Sequence, residues 1–126
     1  MNRKILIVAG IMGLTGVIIG ALGAHALKEL ISVEAQQSFE TGVRYQMYHA
    51  LFLLFVGHSE AISFKSKKSI LYLVLSGVLL FSGSIYALAT NTLTLFNFKS
   101  IAFITPLGGL LLILGWLVLI INLSKS

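Results

Sequence analysis

The sequence predicts an all-α integral membrane protein, a compact bundle of four transmembrane helices, and three observations carry that prediction. Of its 126 residues, 57% are hydrophobic and only 10% charged, where an ordinary soluble domain has roughly 25% charged residues. A soluble fold this small is mostly surface, with no core large enough to hide so much apolar area, so most of it must meet lipid. The apolar residues fall into runs at about 5–26, 44–64, 69–89 and 101–123, each near the ~20 residues that cross about 30 Å of hydrocarbon as a helix. Finally, Lys and Arg gather at the ends of those runs, where bases sit at membrane boundaries. At this length the chain is one domain.

Composition also removes whole classes of chemistry. With no cysteine there is no disulfide, thiolate metal site or cysteine nucleophile. There is no aspartate either, and the only acids are Glu29, Glu34, Glu40 and Glu60. The net charge of +5 would suggest nucleic acid in a soluble protein. Here the bases flank apolar runs, so the expected partner is anionic lipid headgroups at the inner membrane face, and no nucleic acid.

The first run follows Arg3 and Lys4. A rival reading is a cleaved signal peptide, with Ala24-His25-Ala26 as a small-x-small site; the apolar stretch is longer than the ~7–15 residues of a signal core, so an uncleaved helix is expected. At 3.6 residues per turn, Ala9, Gly13, Gly16, Gly20, Gly23 and Ala24 share one narrow face. In lipid, close backbone approach through small residues is a main source of helix attraction, so this face reads as a packing seam. Ile11, Leu14, Ile18 and Leu22 take the lipid side.

Residues 28–40 form a polar connection that looks helical, with Ser32 as N-cap. Glu40 and Arg44 are spaced for a helical ion pair. The second helix therefore starts outside the membrane and enters near Tyr45. It is the weakest span by hydropathy, because Gln46, His49, His58, Ser59 and Glu60 interrupt it. Its stretch TGVRYQMYHALFLL, Thr41 to Leu54, sets Arg44, Tyr45, Gln46, Tyr48 and His49 into a membrane-going run, where ionisable groups are costly.

Lys65, Lys67 and Lys68 precede the third run, which offers a second small-residue face of Ser76, Gly83 and Ala87, flanked by Gly77 and Ser84. The fourth run holds the only proline, and two readings stand. Either Pro106 kinks a helix begun near Ser100, or Thr105 caps a helix with Pro106 at its first position, leaving 97–104 as an interfacial or re-entrant piece. Gly108 and Gly109 read as a packing or flexibility feature, and Trp116 lies well inside the run.

Four spans put both termini on one side. With that side inside it collects Arg3, Lys4, Lys65, Lys67, Lys68 and Lys125, against Lys28, Arg44 and Lys99 opposite. The positive-inside bias then sets both termini in the cytoplasm of a cell-membrane protein, and Tyr45 and His49 toward the outer face.

On the second helix, Thr41, Tyr45, Tyr48, His49, Phe52 and Val56 share a face by the same spacing. The tyrosines either anchor the helix at headgroup level while the histidine bonds a neighbour, or the face meets a ligand, lipid headgroup or ion. His25, His49 and Glu40 could ligate a metal only from separate segments without ligand spacing, so no metal and no cofactor is expected. Without Asp or Cys, and with no nucleophile motif or phosphate loop, no enzyme is expected.

Several blocks then point to a family. Gly20-Ala21-Leu22-Gly23-Ala24-His25 resembles the GAxGAH signature of the YgdD-like small membrane proteins, and Thr41-Gly42, Tyr45-Gln46 and Tyr48-His49-Ala50-Leu51 resemble their TGxxYQxYHAL block. Phe81-Ser82-Gly83-Ser84-Ile85-Tyr86, Thr105-Pro106-Leu107-Gly108-Gly109 and Gly115-Trp116 are similar to the later blocks. The resemblance implies four transmembrane helices in a bacterial membrane and brings no established activity. It also implies that His25, Tyr45, Gln46, Tyr48 and His49 belong to one polar cluster.

The expected function is a non-catalytic membrane protein that binds a partner protein or lipid through His25, Arg44, Tyr45, Gln46, Tyr48 and His49 near the outer face. The alternative is a small oligomeric transporter or channel for an ion or polar solute. Self-association is expected wherever glycine surface is left unused, with Gly13, Gly16, Gly20, Gly23, Ser76, Gly83, Gly108 and Gly109 the expected packing positions.

Overall fold

A computed structural model describes residues 2–93 and 102–125. Among these residues there are four α-helices, α1 (Asn2–His25), α2 (Val33–His58), α3 (Phe64–Ala89) and α4 (Ile104–Ser124), with a 3-10 turn at Asn91–Leu93 and no strand. Consecutive helices are neighbours, α1 on α2, α2 on α3 and α3 on α4.

The helix starts follow from local chemistry. Ser32 accepts a bond from the Ala35 N–H at 3.1 Å, and Ser63 does the same for Ser66 at 3.2 Å, satisfying donors that a helix N-terminus leaves open. α4 begins at Ile104 and has no side-chain cap. Pro106 therefore falls in the first turn, where its missing N–H costs nothing. It does not kink the helix, and Thr105 lies inside the helix rather than capping it, its hydroxyl bonded to that of Ser84. Residues 94–101, most of the postulated re-entrant piece, lie outside the described residues.

The seam on α1 is real and uneven. A Cβ on Gly16 would meet Met47 Sδ at 2.5 Å, and one on Gly23 would overlap the Phe39 ring. One on Gly20 would come within 3.2 Å of Val43, whereas Gly13 has only Ala50 at 4.0 Å. Opposite the seam, Ile11, Leu14, Ile18 and Leu22 are all more than half exposed, as expected for a lipid face.

On α3 the expected packing face must be corrected. Ser76 and Gly83 point outward, and a Cβ on Gly83 would meet nothing within 4 Å. α3 has two neighbours, so its contacts lie on either side of that stripe. Gly77 faces Leu112 and the Gly108 carbonyl of α4, and Ser82 donates to the Gly42 carbonyl of α2 at 2.7 Å. Gly108 is an obligatory close approach, since a Cβ there would run into the backbone N of Phe81. Gly109 is not: its Cβ would sit 3.6 Å from the Phe81 ring, an ordinary contact.

The core lies where Ile5, Leu53, Val56, Ile70, Leu71 and Val74 are fully buried, and α4 adds Leu112 and Leu119. The start of α1 and the end of α4 lie at one end of the bundle. Lys67 Nζ donates to Asn2 Oδ1 at 2.8 Å, and Asn122 Oδ1 accepts from Ser63 Oγ at 3.0 Å. Three helices, α1, α3 and α4, are long and apolar enough to cross a membrane; α2 carries the polar stretch.

Candidate functional site

α2 divides its polar stretch between two sides. Gln46 and His49 turn inward and are almost wholly buried, while Arg44, Tyr45 and Tyr48 are exposed. A buried amide or imidazole without partners costs several kcal/mol in lipid, and the bundle supplies those partners. Gln46 Nε2 donates to the Met12 carbonyl at 2.9 Å and to Thr15 Oγ1 at 2.8 Å, and its Oε1 accepts from the Tyr86 hydroxyl at 2.7 Å. One side chain thus ties α1, α2 and α3 together.

His49 ties α2 to α4. The Trp116 indole N–H lies 3.1 Å from His49 Nε2, and His49 Nδ1 lies 2.7 Å from the Tyr45 carbonyl. An indole can only donate and a carbonyl can only accept, so Nε2 is the acceptor and Nδ1 carries the proton. Trp116 also stacks on Phe52, ring centroids 4.0 Å apart. With both imidazole nitrogens engaged, a metal would have to displace one of these bonds. Among the described residues no group of three or more His, Cys, Asp or Glu stands ready to hold an ion.

The outward side is organised differently. Tyr45 packs on Phe81 with ring centroids 5.0 Å apart, and Tyr48, 54% exposed, meets Tyr45 edge-on at 5.7 Å. Arg44 Nη2 donates to Thr41 Oγ1 at 3.0 Å, in place of the ion pair that its spacing from Glu40 suggests. Glu40 and Arg44 instead border a groove of about 240 Å³ between α1 and α2, whose floor is Gly20, Gly23, Ala24, Phe39 and Val43.

The single cluster expected from the sequence therefore separates. His25 is exposed at the end of α1. The α1–α2 register pairs Gly23 with Phe39 and Gly13 with Ala50, so His25 stands about 17 Å along the bundle from His49, at 1.5 Å per residue. The two histidines do not meet. Conversely, Trp116, Tyr86 and Thr15 belong to the inner network and were not anticipated there. The signal was available: an indole N–H or phenol inside an apolar run needs an acceptor in hydrocarbon.

The family model described as a protein of unknown function, DUF423, matches residues 19–109. A UPF0382 membrane protein of Haemophilus influenzae is 36% identical over 126 residues, covering 100% of this chain and 98% of its own. The chain belongs to this family. Within it, the UPF0382 membrane protein YwdK of Bacillus subtilis is 36% identical, covering 97% of this chain and 98% of its own. The UPF0382 inner membrane protein YgdD of Escherichia coli is 37% identical, covering 96% and 89%. No solved structure matches. The YgdD-like resemblance holds, and with the apolar helices it makes this an all-α integral membrane protein. The family's description carries no activity.

Proposed function

We propose that this DUF423 member is a non-catalytic lipid-binding membrane protein whose recognition surface is the outward side of α2, Arg44, Tyr45 and Tyr48, together with the adjoining α1–α2 groove. The observation that carries the reading is the division of the polar stretch. Gln46 and His49 are consumed by bonds within the bundle, whereas Arg44, Tyr45 and Tyr48 are exposed and Arg44 borders the α1–α2 groove. Guanidinium groups bind phosphate oxygens as a fork, and tyrosines favour headgroup depth. The transport alternative has less support, because the buried polar groups bond one another rather than line a passage.

The protein purified in mild detergent is expected to carry phospholipid, detected by native mass spectrometry. Arg44→Ala should lower that retention about tenfold, the effect of one lost charge-assisted bond. Unchanged retention in Arg44→Ala would count against the surface.

The same reading sets both termini in the cytoplasm. Lys4, Lys65, Lys67, Lys68 and Lys125 share the end of the bundle that holds the termini, where Lys65 and Lys125 border a hollow of about 590 Å³ open to anionic headgroups. Because the chain has no cysteine, single substitutions report the orientation cleanly. An impermeant maleimide should label Ser38→Cys in intact cells and Ser124→Cys only after permeabilisation. The opposite pattern would reverse the orientation.

A further inference from the structure

The groove beside Arg44 carries a negative group as well as a positive one. We propose that it selects a phospholipid with a phosphoethanolamine headgroup, the phosphate on Arg44 and the primary ammonium on Glu40. The inference rests on the lipid-binding reading and adds the headgroup class.

Three features support it. Glu40 and Arg44 border the same groove and are one helical turn apart, yet Arg44 is bonded to Thr41 and the Glu40 carboxylate has no partner among the described residues. Two opposite charges on neighbouring turns of one face lie close together, so a ligand that carries both signs joined by a two-carbon bridge can engage both. The floor of Gly20, Gly23, Ala24, Phe39 and Val43 is apolar and suits the start of acyl chains rather than a free headgroup. The depth fits as well: Gly23 and Phe39 meet next to the end of α1 at His25, where the apolar run stops.

The chemistry separates this lipid from its competitors. A choline headgroup has the same net charge, but its quaternary nitrogen has no N–H to donate to Glu40. A glycerol headgroup lacks the cation, and Glu40 repels its net negative charge. The comparison of ethanolamine with choline is the sharper one, since both lipids are neutral overall and the basic end of the bundle does not distinguish them.

The test uses full-length protein in mild detergent, given equimolar dioleoyl phosphatidylethanolamine and phosphatidylcholine and read by native mass spectrometry. The wild type should retain the ethanolamine lipid about tenfold over the choline lipid, the worth of one charge-assisted hydrogen bond. Glu40→Gln should bring that ratio close to one while total lipid retention persists, and Glu40→Asp should restore part of it. Retention without headgroup preference in the wild type, or an unchanged ratio in Glu40→Gln, overturns this inference and leaves the lipid-binding reading standing. A wild type that carries no lipid overturns both.

Discussion

Gly108→Val is expected to unseat α4 from α3 and to cost about 3 kcal/mol or more, the upper end for overpacking a tight contact. The obstacle is backbone, not a side chain that can swing aside. The new Cβ would run into the Phe81 N, with the Gly77 carbonyl oxygen and the Leu80 carbonyl carbon each at 2.9 Å. Relief requires the two helices to move apart, and that withdraws Leu112 from Gly77 and Gly115 from Val74 along the same seam. It also pulls Trp116 from His49. The measurement is the midpoint of thermal loss of the monodisperse peak in mild detergent. Gly109→Ala and Gly83→Ala serve as paired controls, because one adds a methyl at ordinary contact distance and the other adds it in open space. Both should melt within about 0.5 kcal/mol of wild type, as substitutions without a buried conflict do. If Gly108→Val melts with them, the α3–α4 seam is misplaced.

The contrast among these glycines shows what the sequence could reveal. α1 has one principal neighbour, so its small residues gather on the single face that packs, and periodicity finds them at Gly16 and Gly23. α3 packs against two helices, and a single stripe drawn through Ser76 and Gly83 falls between its two contact faces, one residue from Gly77 and from Ser82 and Ser84. One residue is about 100° of rotation on a helix, enough to turn a seam into a lipid face. α2 raises the same problem with polar groups. That Thr41 to Leu54 would hold the costly side chains is evident from hydropathy. The fate of each depends on neighbours that helical spacing does not specify: Gln46 reaches α1 and α3, His49 reaches α4, and Tyr48 reaches neither. His25 sits in a motif beside the glycine seam, yet the antiparallel register of α1 on α2 carries it away from His49.

Gln46→Leu is expected to lower stability by about 2 kcal/mol, with Tyr86→Phe costing less. Hydrogen bonds between membrane helices are individually modest, averaging ~0.6 kcal/mol with a maximum near 1.7, so no single contact of Gln46 predicts a large effect. Gln46 makes three at once, to Met12, Thr15 and Tyr86. Leucine keeps the volume nearly constant but leaves the Tyr86 hydroxyl without its acceptor in a half-buried site. The loss therefore combines missing bonds with a stranded donor, and a stranded donor costs about 1–3 kcal/mol. Tyr86→Phe removes that donor and leaves the two bonds to α1 intact. If the network is physical, the double variant Gln46→Leu/Tyr86→Phe costs less than the sum of its parts, because the second change removes the group that the first had stranded. Melting in detergent supplies all three values under the same conditions. Strict additivity would mean that Gln46 and Tyr86 are adjacent without being coupled, and that apolar packing alone joins α1, α2 and α3 at this level.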